Sequence, residues 1–356
     1  MNKKTLHSII AIAAILAAAW ILNGILDSYV RRVLNLCAIY AIISLSLNLV
    51  NGFTGMFSLG QAGFMAIGAY TVAIFTVPVE LRAAGFYLEP MNPLIAGIEL
   101  PLLAALILGG LLSATFAFII GFPVLRLRGD YLAIATLGFS EIIRIIFTNT
   151  QSITNGALGI KNVPALSNMF FIYLAAIITI VFMRLLISSS YGRAFKAIRE
   201  DEIVAEAMGI NLFKHKIMSF VISAFFAGIG GGLYGALLGT VDPKNFMFTL
   251  TYNFVLIIVL GGLGSISGTV IASFIITIGM EWLRFFDDEL VLFGFKVPIF
   301  RPGLRMVVFS VLLMVIVLFF QKGLMGQKEL SFDMLRQAAA RVKGLPLFKN
   351  GRRKGE

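Results

Sequence analysis

Continuous apolar runs of about 20 residues recur along the whole chain. A helix of this length spans the hydrocarbon core of a bilayer and satisfies its own backbone hydrogen bonds there. The runs do not alternate with polar residues, which disfavours a membrane β-barrel. The chain is 59% hydrophobic and 13% charged, whereas soluble domains carry about 25% charged residues. The sequence therefore predicts an all-α polytopic membrane protein.

The runs predict about ten transmembrane helices, within a range of nine to eleven. The first run is interpreted as a membrane helix, not as a signal peptide, because it extends to Leu26 without a small-residue cleavage site. The eighth run is too short to cross about 30 Å as a straight helix, so we expect a broken or half helix there. The predicted spans are 8–27, 33–50, 60–78, 101–123, 131–148, 169–187, 217–239, 249–261, 268–285 and 302–320.

The distribution of Lys and Arg predicts that both termini are cytoplasmic. With the N-terminus inside, 19 of these residues fall on the inner side and 9 on the outer side, as the positive-inside rule requires. Arg31 and Arg32 fall on the outer side, against the rule, so the topology prediction has its weakest support at the first hairpin. The net charge of +11 is thereby explained without a nucleic-acid partner. Residues 1–326 are predicted to form the transmembrane domain and residues 327–356 a basic cytoplasmic tail.

The sequence lacks the residues that several kinds of chemistry require. The single cysteine, Cys37, excludes an internal disulfide, and two histidines, His7 and His215, cannot form a histidine-rich metal site. No Gly-Lys pair occurs, so the chain lacks the phosphate loop of P-loop ATPases. We therefore expect a transport role without a cofactor or metal of its own. A membrane-embedded hydrolase is the enzymatic alternative, but no motif supports it.

Two glycine-rich stretches interrupt the apolar pattern: NGFTGMFSLGQAGFMAIGAY (51–70) and LGGLGSISGTVIAS (260–273). Glycine permits either close helix packing or an unwound backbone, and unwound segments often mark a transport path. Both interpretations stay open. A third stretch, GIGGGLYGALLG (228–239), is typical of packing, because Gly228, Gly232 and Gly235 fall on related faces. The path or gate candidates are Thr54, Ser58, Gln61, Gly63, Gly261, Gly262, Gly264 and Ser265.

The fifth predicted span contains two charged residues, Glu141 and Arg144. Glu141 lies ten residues past Tyr131, roughly 15 Å into the bilayer, and Arg144 follows one turn later on nearly the same face. Charged side chains at this depth cost considerable free energy, so their presence in a membrane helix usually indicates a functional role. Glu141 and Arg144 are therefore also candidates for the translocation path or gate. An internal ion pair that orients the helix is the structural alternative.

Residues 188–216 form the longest predicted inner loop, with the charged stretch SSSYGRAFKAIREDEIVAEAMGI. Ala194, Ala197, Ile198, Ala205 and Met208 recur at spacings near three and four, which predicts one amphipathic helix or two short ones with an apolar face at the cytoplasmic surface. Gly209 is the expected helix terminator. The acidic run 200–202 disfavours an anionic lipid surface and favours a protein partner.

Six segments in order resemble branched-chain amino acid ABC transporter permeases of the LivM type. They are NGFTGMFSLGQAGFMAIGAY, RLRGDYLAIATLGFSEIIR, TNGALGI, SSYGRAFKAIREDEIVAEAMGI, ISAFFAGIGGGLYG and LGGLGSISG. The resemblance covers roughly residues 35–325. It implies one of two membrane subunits of an importer in the bacterial inner membrane, paired with a LivH-type permease. Two cytoplasmic ABC ATPases would bind and hydrolyse ATP, and an external binding protein would deliver leucine, isoleucine or valine.

The same resemblance implies that the charged loop couples the permease to an ATPase. The residues assigned to this coupling loop are Arg193, Ala194, Ala197, Ile198, Arg199, Glu202, Ala205, Glu206, Met208 and Gly209. Two alternatives stay open. One is an ABC permease for another small solute, such as a different amino acid, urea, an amide or a sugar; the other is an ion-coupled secondary transporter.

Overall fold

The computed structural model is predominantly helical. It describes residues 3–86, 89–127, 129–165 and 168–284, together with the short pieces 291–292, 295–296, 304, 307–308, 310–311, 314, 323–326 and 329. Among these residues, five helices are long and apolar enough to cross a membrane, counting the π-helical extension of α2. Four shorter apolar helices accompany them. This confirms the all-α membrane class, while the count of ten spans stays a prediction.

The main helices follow the predicted spans closely. They are α1 (Lys3–Ile25), α2 (Ser28–Asn48) with its π-helical extension (Leu49–Phe53), α3 (Gln61–Thr76), α6 (Leu102–Val124), α7 (Asp130–Asn149), α9 (Met169–Ser188), α12 (Leu212–Leu238), α13 (Phe248–Gly261) and α14 (Ile266–Trp282).

Short elements join these helices. At the end that the charge distribution assigns to the outside lie α4 (Val79–Gly85), α5 (Pro93–Ala96), α8 (Gln151–Thr154), two 3-10 turns (Gly156–Leu158 and Pro243–Phe246) and a hairpin of β1 (Val291–Leu292) and β2 (Phe295–Lys296). At the opposite end, called the inner end below, lie α10 (Ser190–Glu200) and α11 (Glu202–Ala207).

Three helix starts differ from the sequence prediction by five residues, and the first of these is α1, which begins at Lys3 instead of 8. The second helix begins at Ser28 instead of 33, because Arg31 is accommodated in its first turns and donates to the Leu26 carbonyl at 3.1 Å. The seventh predicted span begins at Leu212 instead of 217, because the Asn211 side chain caps this end by accepting from the Lys214 amide. The predicted tenth span and the basic tail lie almost wholly outside the described residues.

Glycine lets α3, α6 and α12 approach to backbone contact at the core. A side chain at Gly68 of α3 would overlap the Gly228 carbonyl of α12, and one at Gly231 would overlap the Met65 carbonyl. Gly109 of α6 packs on the backbone of Gly68. The packing interpretation of the third glycine stretch is therefore confirmed.

A buried arginine holds the outer loop together. The guanidinium of Arg82 donates to the carbonyls of Val77, Ile95, Ala96 and Ile98 at 2.7–3.0 Å. Desolvation by burial lowers the pKa of this guanidinium from its usual value. Four carbonyl partners explain how a side chain that is only 4% exposed can keep its charge.

The TNGALGI segment joins two outer loops through backbone pairing. Ile160 and Val241 exchange N–H···O bonds of 2.8 Å. Asn155, in the left-handed conformation, donates to the Gly159 carbonyl at 2.7 Å. The TNGALGI segment, one of the six on which the family resemblance rests, therefore has a structural role at the outer end.

Candidate translocation and coupling site

The middle of α7 meets the beginnings of two shorter helices, α3 and α13. The Leu59 amide, just before α3, donates to the Thr136 hydroxyl of α7 at 3.0 Å. The Phe248 amide, first in α13, donates to the Glu141 carboxylate at 3.2 Å. Thr136 and Glu141 lie roughly 9 and 16 Å along α7 from its inner end. Both shorter helices thus begin within the span of α7, and we call this meeting point the central junction.

The two shorter helices also contact each other at the central junction. The amide of Ala62, in the first turn of α3, donates to the hydroxyl of Thr251 in α13 at 3.1 Å. Gly63 faces α7, where an added Cβ would lie 2.9 Å from the Ser140 Cα. The prediction of a half helix for the eighth apolar run is therefore confirmed, and α3 is a second such helix.

A non-helical segment, residues 54–60, connects the inner end of α2 to the start of α3. Asn51 fixes it with two bonds to the Ser58 backbone, accepting from its amide at 3.1 Å and donating to its carbonyl at 3.2 Å. Thr54 donates to the Leu49 carbonyl, and Gln61 donates to the Ser46 hydroxyl at 2.6 Å. Residues 54–60 of the first glycine stretch are thus unwound with paired polar groups, as backbone at membrane depth requires, and the residues that follow form the start of α3.

Glu141 and Arg144 form an ion pair with an Nε–Oε2 distance of 2.7 Å. The side chains are 23% and 27% exposed, so solvent or a neighbouring subunit can reach both. The second carboxylate oxygen of Glu141 accepts from the Phe248 amide. A negative charge at a helix N-terminus is favourable, and the pair therefore holds α7 against α13.

Replacing Arg144 with methionine should destabilise the protein by about 2 kcal/mol, because a partly buried carboxylate loses its counter-charge. The double variant Glu141→Gln/Arg144→Met should lose less, because glutamine still accepts from the Phe248 amide. Thermal unfolding of the purified chain in detergent measures both. Equal loss of solute uptake in the single and double variants, at normal stability, would show a direct role in transport instead.

A buried asparagine joins the two predicted glycine breaks at the inner end. Asn48 accepts from the Gly264 amide at 3.0 Å and donates to the Ser265 carbonyl at 3.0 Å and the Thr269 hydroxyl at 2.8 Å. Gly262 and Gly264 have φ values of 109° and 83°, which favour glycine. Close contact of Gly261 with Gly268 completes the tight turn between α13 and α14. We call the contact of this turn with α2 the inner junction.

Arg199 connects the charged loop to the inner junction. Its Nη1 donates to the Gly52 carbonyl at 3.1 Å, while Nη2 pairs with the Glu200 carboxylate. An added Cβ at Gly55 would lie 2.8 Å from the arginine Cγ, and one at Gly264 would lie 2.9 Å from Nη1. One side chain of α10 therefore touches both glycine breaks.

The charged loop folds as two helices, α10 and α11, that meet at Asp201. The Asp201 carboxylate caps α11 by accepting from the Ile203 and Val204 amides at 2.8 and 3.0 Å. Lys216 of α12 fastens α11 through an Nζ–Oε1 distance of 2.6 Å to Glu202. Gly209 follows α11 with a φ of 83°, which confirms its predicted position as helix terminator.

The apolar residues of the loop divide into a buried and an exposed set. Ile198 and Ala205 are each 2% exposed and pack inward, so they do not form the surface face that the spacing predicted. The exposed apolar side chains are Ile203, Val204 and Met208, at 75%, 57% and 79%. Of the remaining coupling-loop residues, Ala194 and Ala197 are half-buried, and Arg193 and Glu206 are exposed.

A residue near the C-terminus completes the inner junction. The Glu329 carboxylate accepts from the Ile266 amide at 2.7 Å and from the Ser267 amide at 3.0 Å, and so caps α14. The amides of Leu324 and Met325 donate to the carbonyls of Leu260 and Gly261. The predicted tail thus returns to the bundle at residue 329.

The sequence interpretation missed Asn48, Thr136, Thr251 and Glu329. The first three are polar residues inside apolar helices, a signal that was available. Glu329 lies in a polar segment without a periodic pattern, and its position gave no signal.

Comparisons with known proteins place most of the chain in one family. Residues 29–318 match the family described as branched-chain amino acid transport system / permease component. The high-affinity branched-chain amino acid transport system permease protein LivM of Escherichia coli (strain K12) is 35% identical over 329 residues, covering 81% of this chain and 72% of that protein. No solved structure matches the chain.

Two further relatives are more distant. The high-affinity branched-chain amino acid transport system permease protein LivH of Salmonella typhimurium (strain LT2) is 26% identical, covering 67% of this chain and 79% of that protein. The guanosine ABC transporter permease protein NupQ of Bacillus subtilis (strain 168) is 26% identical over 200 residues, covering 52% and 60%.

Proposed function

Because this chain belongs to the family of branched-chain amino acid transport permease components, we propose that it forms one membrane half of an ATP-driven importer for leucine, isoleucine and valine. The chain crosses the bacterial inner membrane about ten times, with both termini in the cytoplasm. A LivH-type permease forms the other half, two cytoplasmic ABC ATPases bind and hydrolyse ATP, and an external binding protein delivers the solute. The solute leaves the membrane chemically unchanged.

The contact of Arg199 with both glycine breaks carries this proposal. When the ATPases close, they displace α10 and α11, and Arg199 transmits the displacement to Gly52 and the 262–265 turn. Gly52 leads through residues 54–60 to the start of α3, and the 262–265 turn follows the last residue of α13, so both short helices of the central junction are attached to these segments. Coupling requires that the ATPases hold the loop differently in the outward- and inward-facing states.

The residues proposed to contact the ATPase are Ile203, Val204 and Met208. Together they form an exposed apolar face on one short helix and the residue that follows it. Replacing Met208 with aspartate should weaken binding of the ATPase subunits by about tenfold, because a docking surface of this kind loses apolar contact and gains a charge. Co-purification of the subunits at several salt concentrations measures the loss.

Leu94→Asp is the matched control, because Leu94 is 83% exposed at the outer end of the bundle. Equal retention of the ATPases by both variants would contradict the docking assignment.

Uptake into proteoliposomes that contain the assembled importer tests the solute. We expect unlabelled leucine, isoleucine and valine to compete with labelled leucine, and guanosine and urea not to compete. Competition by guanosine alone would assign the chain to nucleoside transport. Uptake driven by an ion gradient without ATP would contradict the ATP-driven mechanism.

A further inference from the structure

A cavity of about 420 Å³ opens at the inner end of the bundle, between α9, α14 and the first helix of the charged loop. The cavity adjoins the inner junction, and Phe53 and Gly264 form the wall between them. Its lining includes Ile180 and Arg184 of α9, Lys196 of α10, and Val270 and Ile271 of α14.

The lining separates into an apolar wall and a basic mouth. Ile180, Val270 and Ile271 lie on α9 and α14 at membrane depth, and they form the apolar part of the cavity. Arg184 lies four residues before the end of α9, about 6 Å from its inner end. Lys196 projects from α10, which follows α9 at the inner end. This order, apolar inside and basic at the boundary, matches an amphiphile in the inner leaflet.

The two basic residues have no acidic partner within the described part of the chain. Neither Arg184 nor Lys196 is in an ion pair there, whereas Lys216 and Arg144 are paired. Both side chains are exposed. Arg184 and Lys196 can therefore bind an anion without first breaking an ion pair among the described residues.

The acidic groups near the cavity are engaged elsewhere. Glu329 lines the cavity, but its two carboxylate oxygens accept from the amides and the hydroxyl at the start of α14. Glu200 pairs with Arg199, Asp201 caps α11 and Glu202 pairs with Lys216. The acidic run that argued against an anionic lipid surface is thus used within the protein, away from the cavity mouth.

We propose that this cavity binds an anionic phospholipid of the inner leaflet, with its phosphate between Arg184 and Lys196 and its acyl chains along Ile180, Val270 and Ile271. Charge complementarity selects this occupant over the chain's own tail, because residues 330–356 contain seven Lys and Arg against two acidic residues. A bound lipid joins α9 and α14 to the coupling helix α10, which carries Arg199.

Native mass spectrometry of the purified full chain measures this binding, with phosphatidylglycerol and phosphatidylcholine of identical acyl chains as probes. The wild-type chain should retain phosphatidylglycerol in preference to phosphatidylcholine. Arg184→Gln/Lys196→Gln should weaken phosphatidylglycerol binding by about 30-fold, since two basic residues near a membrane surface each contribute about a factor of five.

Arg193→Gln/Lys214→Gln is the matched control, because it removes two exposed basic residues of the same inner surface that do not line the cavity. It should change binding less than about twofold. Ile180→Trp fills the apolar wall without altering charge and should also weaken phosphatidylglycerol binding. Thermal unfolding of each variant confirms that the fold is retained.

Three outcomes would overturn the proposal. Equal losses in the cavity and control double variants would mean general attraction to a basic surface. Equal retention of phosphatidylcholine would remove the role of the phosphate charge. Displacement of the lipid by millimolar glycerol phosphate, with no effect of Ile180→Trp, would identify a site for soluble phosphate compounds instead.

Discussion

Replacement of Arg199 with methionine should reduce ATP-driven uptake by about 10- to 100-fold, while the partner ATPases continue to hydrolyse ATP. The guanidinium is the group that joins α10 to the Gly52 carbonyl, and its aliphatic part packs against Gly55. A hydrogen bond from a charged group contributes about 1.5–3 kcal/mol. Removal of that energy from one of two transporter states shifts their ratio by the same 10- to 100-fold.

The measurement uses the importer assembled in proteoliposomes, with uptake and ATP hydrolysis followed in the same sample. Lys214→Met is the matched control, because Lys214 is an exposed basic residue of the same inner surface that is not among the residues assigned to coupling. Arg199→Lys should restore part of the uptake, because lysine can still donate to one carbonyl. Normal uptake by Arg199→Met would refute the assigned role of this side chain.

Replacement of Gly68 with alanine should abolish the folded protein or destabilise it by more than about 3 kcal/mol, the upper end of common overpacking costs. The added methyl group would overlap the Gly228 carbonyl oxygen, which belongs to the α12 backbone and cannot change rotamer. Relief requires α3 and α12 to separate, and this would open the contacts with Gly109 as well. Yield after membrane extraction and the midpoint of thermal unfolding measure the effect.

Gly279→Ala makes the identical chemical change in another apolar helix, α14. No atom lies within 4 Å of the added Cβ there, and alanine has the higher helix propensity. We expect this variant to be as stable as the wild-type chain or slightly more so. Similar behaviour of both variants would mean that the α3–α12 contact does not determine stability.

The sequence predicted the fold class and most helix positions because apolar length is a local property. The bounds of α6, α7 and α9 differ from the predicted spans by at most one residue at each end. The half helix at α13 was also predictable, since 14 residues cannot cross the membrane. The end of α11 at Gly209 followed from local turn chemistry.

The sequence did not reveal that the two glycine-rich breaks are held together by Asn48 and Arg199. Asn48 and Ser265 are 217 residues apart, and Arg199 and Gly52 are 147 apart, so periodicity contains no information about either contact. Amphipathic spacing also could not distinguish the two sides of the charged loop. Ile198 and Ala205 pack inward, whereas Ile203 and Val204 are exposed, because α10 and α11 lie against the bundle and do not extend away from it.

The cap that Glu329 places on α14 has a consequence for the synthesis of the protein. The amides of Ile266 and Ser267 precede their acceptor by 63 and 62 residues. Ser265 caps the Gly268 amide locally, but the Ile266 and Ser267 amides stay without this acceptor until residue 329 has left the ribosome. Completion of the inner junction is a late, post-insertion event, because Glu329 is synthesised after α2, α13 and α14, the helices that this junction joins.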